Sequence, residues 1–216
     1  GSMISPKFTK VNKYIFDQDA YAWNLPSGHT CPGAYKCLAK ADRTTGKITN
    51  GPKQEFRCYS AVGERFPSVR KRVWENFEAT KDKSPGEVAQ VLAGCFPGKA
   101  RRVRIHSSGD FFSQNYFDGW LRFISLQPSV HFWAFTKSLP FWIARLSSIP
   151  CNLVLTASIG GRHDTLAHRH KLKYAKVVYS KQEAASYQLK IDVDDRLAAH
   201  GSESFALLEN FTKNYD

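Results

Sequence analysis

Apolar and polar positions follow two rhythms along this chain, and one of them runs through the second half with little interruption. β-Branched and aromatic runs occur at Val103-Arg104-Ile105, Val130-His131-Phe132-Trp133-Ala134-Phe135, Leu153-Val154-Leu155 and Ala175-Lys176-Val177-Val178-Tyr179. Each is short, as strands are, and each precedes a segment of helical spacing: Tyr116 to Leu126, Pro140 to Leu146, Thr165 to His170 and Gln182 to Ser186. Parallel strands need a crossover of a dozen or more residues, usually a helix, so runs recurring every ~22 to 28 residues predict a parallel α/β sheet. Ala20-Tyr21-Ala22-Trp23-Asn24-Leu25 reads as an earlier strand and Phe205 to Leu208 as a last one. The expected sheet has about five or six strands in a single domain over residues 3–216, with strand–helix units across 101–208.

The other rhythm is helical. Val69, Val73, Trp74 and Phe77 recur at spacings of three and four between Pro67 and about Lys81, with Arg70, Lys71 and Arg72 on the other side. Ser84-Pro85-Gly86-Glu87 then predicts a second helix that carries its own start signal, a Ser cap with Glu three residues on and Pro in the first turn. Val88, Val91 and Leu92 form its apolar stripe, and Cys95 on the same helix reads as core. Residues 4–19 read as an irregular or strand-like lead-in around Tyr14-Ile15-Phe16.

Residues 24–60 fit neither rhythm. This loop is rich in Gly, Pro and Lys and sets Cys31, Cys37 and Cys58 in a C-x5-C-x20-C spacing, with turn signals at Thr44-Thr45-Gly46-Lys47 and Asn50-Gly51-Pro52 for a small hairpin between the last two thiols. Thiols in a polar loop have little apolar surface to pack against, which points to ligation. Three thiolates suit an iron–sulfur cluster with one iron left open. They equally suit zinc completed by His29 or His106. Lys36, Lys40, Lys53 and Arg57 would stabilise the thiolates.

Composition narrows the class. Of 216 residues, 42% are apolar and 13% aromatic, which predicts a folded globule rather than disorder. Gly1-Ser2 ahead of Met3 reads as a tag remnant, no signal peptide follows, and no apolar run reaches the ~18 residues that span a bilayer. The expectation is a soluble, cytoplasmic protein with no membrane partner, where five cysteines stay reduced and build no disulfide framework. A net charge of +12 favours a nucleotide or nucleic acid as partner.

In parallel α/β sheets, chemistry gathers where strands end and loops to the helices begin. Those ends here are His106-Ser107-Ser108-Gly109-Asp110, Thr136-Lys137-Ser138, Thr156 through Asp164, and Ser180-Lys181. Gly109 would let a ligand approach the backbone, and Asp110 would either serve a ligand, accepting from an amine or holding a metal-bound water, or cap the next helix. Gly160-Gly161 with Arg162 has the composition of an anion cradle. Anion or nucleic-acid contacts are expected at Lys137, Arg162, His163, His168 and Arg169, and at Arg101 and Arg102 ahead of the Val103 strand. Tyr59, Phe66, Trp74, Phe111 and Phe112 lie near basic residues and either stack on bases or fill the core.

The segments L-P-S-G-H-T-C-P-G-A, F-R-C-Y-S-A, R-V-R-I-H-S-S-G-D-F-F-S-Q-N-Y-F-D-G-W, F-W-A-F-T-K-S-L-P-F-W-I-A-R-L and N-L-V-L-T-A-S-I-G-G resemble the phage and prophage family known as gene-product-eighty-eight-like. That family has no assigned activity, and membership implies a phage protein working in the host cytoplasm. The order of parts is also similar to a trimmed radical SAM barrel, with a first strand, a cysteine loop and a Ser-Ser-Gly-Asp turn after the next long strand. That likeness implies a partial, open TIM-barrel-like sheet with an N-terminal cysteine-rich loop. It further implies a 4Fe-4S cluster on Cys31, Cys37 and Cys58, the SAM amino group at Gly109 and Asp110, and other parts of SAM at Ser158 and Gly160. The cysteine spacing departs from the C-x3-C-x2-C of most such enzymes. Two other readings stay open: a non-catalytic nucleic-acid-binding protein with structural zinc, and a host-directed inhibitor acting by protein contact.

Overall fold

The computed structural model describes residues 5–11, 19–34, 39–50, 61 and 63–209. Expectations for Tyr14, Ile15, Phe16, Lys36, Cys37, Lys53, Arg57, Cys58 and Tyr59 fall outside these residues.

Ten strands occur among the described residues: β1 (Thr9–Val11), β2 (Ala20–Trp23), β3 (Lys40–Ala41), β4 (Ile48–Thr49), β5 (Arg102–Ile105), β6 (His131–Thr136), β7 (Leu153–Ser158), β8 (Tyr174–Val178), β9 (Lys190–Ile191) and β10 (Phe205–Leu208). Eight of them form one sheet in the order β1-β2-β5-β6-β7-β8-β10-β9. Only β1 runs antiparallel to its neighbour. The sheet stays open, with β1 and β9 at its edges. All six expected strands are in it. The count of about five or six is corrected to eight, because β1 and β9 have three and two residues and carry too little pattern to read. The expected hairpin is β3–β4, turning at Gly46.

Seven α-helices occur among the described residues: α1 (Pro67–Thr80), α2 (Pro85–Cys95), α3 (Gln114–Ser125), α4 (Leu139–Ile143), α5 (Asp164–Arg169), α6 (Lys181–Ser186) and α7 (Arg196–His200). The capping box at Ser84 forms as its sequence dictates, with Glu87 N–H donating to Ser84 Oγ and Ser84 N–H to Glu87 Oε1. On α1, Val73 is buried, but so are Asn76 and Thr80. The Asn76 side chain accepts from Lys7 N–H and donates to the Lys7 and Asn24 carbonyls, tying α1 to the lead-in and to the end of β2.

Period-two alternation gives the sheet two different faces. Val103, Ile105, Phe132, Ala134, Leu153, Leu155 and Ala157 point to one side, where α2 and α3 bury Val88, Leu92, Phe117, Trp120, Phe123 and Ile124 against them. Burial stabilises each such large side chain by roughly 1.5–3 kcal/mol, so this layer holds most of the folding free energy. The alternate residues Trp133, Ala175 and Phe205 point the other way and meet Ala198 and Ala199 of α7, with Phe135, Val154 and Leu207 around them. That second face is only half covered by α7, and the uncovered half faces the strands' carboxyl ends.

Candidate functional site

A cavity of about 370 Å³ occupies this uncovered half. Its wall takes Arg104 from β5, Phe135 from β6, Ser158 from β7, Val177 from β8 and Leu207 from β10. Its rim takes Ser27, Gly28 and Cys31 from the loop after β2, residues 106–110 after β5, and Lys137 after β6. A volume in this range suits a small organic ligand.

The rim is held by local bonds. Asn24 Oδ1 accepts from the Ser107 and Ser108 N–H groups, and Ser108 Oγ donates to the Leu25 carbonyl, so the ends of β2 and β5 are stitched together. Gly109 has φ +82, and a Cβ there would come within 2.6 Å of both Leu25 Cβ and Thr30 Oγ1, so only glycine fits. Asp110 is buried. Its Oδ1 accepts from Thr136 Oγ1 at 2.7 Å and from Phe111 N–H at 2.7 Å, and its Oδ2 accepts from Lys137 N–H at 2.9 Å. Of the two readings of Asp110, the helix cap is not what the geometry uses: Ser113 caps α3, accepting from Tyr116 N–H. Asp110 instead fastens the end of β6 to the end of β5. Burial pushes its carboxyl up, and the Thr136, Lys137 and Phe111 donors and the Lys137 charge pull it back. A carboxylate has about four acceptor sites and three are used, so Oδ2 keeps one.

Lys137 Nζ donates to Ser158 Oγ at 2.6 Å across the mouth of the cavity. On the floor, Arg104 pairs with Asp195 at 3.2 Å and lies over the Phe135 ring, while Trp133 Nε1–H donates to the same Asp195 carboxylate. His106 ends β5 with φ +67, and its Nε2 is 2.7 Å from the Tyr116 hydroxyl. Its ring is packed among Phe111, Tyr116 and Trp120, and burial alone drives its basicity down to about 3, which keeps it neutral.

The remaining candidates separate. Gly160 and Gly161 do not form an open cradle: both N–H groups donate to the Asp164 carboxylate, so the turn is filled by the chain's own anion. Arg162 is turned to the cysteine loop, its N–H donating to the Gly33 carbonyl and its Nε to the Ala34 carbonyl. Ala34 also bridges Gly161, which fixes the start of that loop against the end of β7. His163 sits just ahead of α5, at the rim end of that helix, whereas His168 and Arg169 sit in its last turn, at the far end of the sheet with Arg101 and Arg102. The expected anion cluster is therefore split between the two ends of the sheet. His29 is exposed, edge-on to Trp74, with Nε2 on the Ala41 carbonyl. Phe111 is core, and Trp74 carries Arg43 over its ring; Phe66 is the most exposed of the described aromatic candidates at 61%.

Of the three loop thiols, Cys31 lies on the cavity wall. No group of three metal-ligating side chains occurs among the described residues, which do not include Cys37 and Cys58. Cys95 behaves as expected of a core thiol, bonded to the Val91 carbonyl and pushed up to about 11 by burial.

Sequence reasoning missed Arg104, Asp195, Ser27, Tyr116 and Glu64. Glu64 is fully buried, Oε2 accepting from Ser27 N–H, and desolvation raises its carboxyl to about 7. The signal for Arg104 was present in the alternation, since a charge between Val103 and Ile105 must face away from the apolar layer.

No helix among the described residues is long and apolar enough to cross a membrane. No solved structure matches the chain. Two curated relatives, each called Gene 88 protein, come from Mycobacterium phage L5 and Mycobacterium phage D29. They are 33% and 30% identical over 125 residues, which cover 52% of this chain and 46% and 45% of theirs. The chain thus spans about half the length of the curated relatives it matches. The family model for Gene product 88 matches residues 5–213, nearly the whole chain, and the chain belongs to that family.

Proposed function

We propose that this is a metal-dependent phage protein of the host cytoplasm, in which Cys31, Cys37 and Cys58 hold an iron–sulfur cluster at the mouth of the cavity and a nucleotide-like molecule occupies the space below. The observation that carries this reading is the position of Cys31, in the lining of the same cavity as Gly109, Asp110, Lys137 and Ser158. The flanks of the other two thiols support it. Ala34 and Ala39 stand on either side of Cys37; Ala34 is bridged to Gly161, and the Ala39 carbonyl lies against Gly28 on the rim. Six residues past Cys58, Glu64 is bonded to Ser27 on that same rim.

The strand order suits the reading too. A parallel run in chain order from β2 to β8, with α2 and α3 on one face and a cavity at the carboxyl ends on the other, has the plan of a partial barrel. A cluster held by three thiolates supplies one open iron and a source of single electrons. The chain's own residues would do the rest. Lys137 and Arg104 offer positive charge to an anionic group, Asp110 Oδ2 offers its remaining acceptor site to an amine such as that of SAM, and Phe135, Val177 and Leu207 offer hydrocarbon to a ring.

Oxygen-free purification tests this directly. The expected sample is brown, contains about four iron and four sulfide per chain, and bleaches in Cys31→Ser. A colourless sample holding one zinc on the same thiols would replace the cluster with a structural metal and favour the nucleic-acid-binding alternative.

A further inference from the structure

The hairpin β3–β4 and the start of α1 make a surface that the cluster reading leaves unused. Arg70 clamps the two together: its Nη1 donates to the Glu64 and Arg65 carbonyls, and its Nη2 to the Thr44 carbonyl in the hairpin turn. On the hairpin's other side, the Ala41 carbonyl meets His29 Nε2, and Lys40 lies against Gly28 on the cavity rim. Glu64, just ahead of Arg65, is bonded to Ser27 on that same rim. The surface therefore runs from the mouth of the cavity across the hairpin to Arg65 and Phe66.

Its charge is one-sided. Residues 40–49 of the hairpin and 65–78 at α1 hold seven Lys and Arg against three carboxylates, Asp42, Glu75 and Glu78. Glu78 is engaged by Arg43 and Lys81 at 2.9 and 2.8 Å, and Asp42 accepts from the Thr44 and Thr45 N–H groups of its own turn. Glu75 stands 4.0 Å from Lys71, and Glu64 is buried beneath the surface rather than on it. Lys40, Lys47 and Arg65 are exposed and have no carboxylate partner among the described residues.

Two flat groups lie among these cations. Phe66 is 61% exposed at the start of α1, where its side chain makes no cap bond. The Arg43 guanidinium lies over Trp74, 4.5 Å from the ring centroid, with 54% of its side chain still exposed. Splayed-out bases stack on aromatic rings and on guanidinium planes alike, while lysines meet the phosphates between them. A duplex keeps its bases inside, and an acidic peptide offers the charge without a run of flat faces, so a single strand fits both features best.

We infer that the β3–β4 hairpin and the start of α1 bind single-stranded nucleic acid, with Lys40, Lys47, Arg65 and Lys71 on phosphates and Phe66 and Arg43 against bases. This deepens the reading of the cavity and rests on it at one point: the nucleotide-like occupant is then the end of that strand, or a nucleotide turned out of it.

Fluorescence anisotropy with labelled oligonucleotide probes of about 15 nucleotides, oligo-dT and oligo-U, tests the surface on the protein as purified. Single strands are expected to bind more tightly than a duplex of equal length, and the tighter of the two tells DNA from RNA. Binding should weaken steeply between about 50 and 200 mM salt. Changing Lys40, Lys47 and Lys71 together to Gln should lower the log–log salt slope by about two, since each single-strand phosphate contact carries roughly 0.7. Phe66→Ala should bind about tenfold more weakly with the slope unchanged, and Phe66→Trp should restore it. Changing Lys99, Lys171 and Lys190 to Gln removes the same charge from the opposite end of the sheet and should leave binding within about twofold. An equal loss in that control, tighter binding of the duplex, or an unaffected Phe66→Ala overturns the inference. So does poly-glutamate competing as well as oligo-dT, which would point to a protein partner instead. Iron and sulfide measured on the same samples judge the cluster separately. An iron-free protein that binds the probes keeps this surface and loses the cluster; a brown one that binds neither keeps the cluster and loses the surface.

Discussion

The face of the sheet that carries α7 and the cavity is divided into two halves that treat polar groups differently. In the lower half, where α7 sits, the groups are matched inside the chain. Asp192 accepts from the Leu197 and Ala198 N–H groups, Lys173 donates to the Leu197 and Ala198 carbonyls, and the His131 ring bonds to the Ala199 carbonyl. A five-residue helix is too short to be stable alone, and these side chains close its open ends. Around the cavity rim, Ser27 Oγ, His106 Nδ1 and the Glu64 Oε1 of the carboxylate bonded to Ser27 are buried with no hydrogen-bond partner among the described residues. The difference separates two uses of charge. Below, it solves the problem of burying a helix. Above, it leaves capacity for something the chain does not itself supply.

The sharpest way to break this contrast is at Asp110, which is well matched although it stands at the cavity rim. Asp110→Ala strips three donors of their acceptor and frees the end of β6, and is expected to cost about 3–5 kcal/mol, read as a lower urea midpoint. A loss below about 1 kcal/mol would mean that the rim is held by the Asn24 stitch alone.

Glu64 tests the unmatched groups next. Its folded-state carboxyl titrates near 7 against an ordinary value of 4.5, because burial disfavours the charge. Between those values the folded protein holds a proton that the unfolded chain has released, so stability falls as pH rises from about 4.5 to 7 and levels off above. The full swing is on the order of 3 kcal/mol. Glu64→Gln keeps an acceptor for Ser27 N–H without the charge, so it should flatten the profile and stabilise the protein at pH 8 relative to the unaltered chain. Urea melts at pH 5 and pH 8 read both effects. An unchanged slope would show that Glu64 does not carry it.

In the lower half, Asp192→Ala should cost about 2 kcal/mol by unmatching the first turn of α7, while iron content and probe binding stay as they were. Loss of iron in this variant would show that the halves are not independent.

How far these features could be read from sequence follows from how local they are. The six longer strands announce themselves by short apolar runs, and α2 by its capping box, because each signal sits within a few residues. The helix Arg196–His200 does not: five residues cannot show a periodicity, and its stability comes from Asp192, Lys173 and His131, the last of them far away in the chain. The rim residues were legible as strand ends, since topology puts Gly109, Lys137 and Ser158 at one edge whatever their contacts. Their roles were not. Gly160-Gly161 looks like an anion cradle until Asp164 is seen to fill it, and the spacing of Gly-Gly to that Asp is the one local hint. His106 acquires its meaning only through Tyr116, one helix further on, and Glu64 through a bond to Ser27 that spans 37 residues.

The smallest effect calibrates the others from the opposite side of the sheet. Ser84 caps α2 in the helical layer on the other face of the sheet from α7 and the cavity. Ser84→Ala removes the acceptor for Glu87 N–H and breaks the reciprocal bond from Ser84 N–H to Glu87, which exposed caps of this kind value at about 1 kcal/mol. Ser84→Thr should restore most of it, because a threonine hydroxyl reaches the same N–H. The urea midpoint should drop and recover in that order with the slope of the transition unchanged. The His106 ring-nitrogen NMR signals should not move in either variant. If they did, the α2 cap would be felt through α3, whose Tyr116 and Trp120 pack on the His106 ring, and the state of that ring would follow from packing in the helical layer.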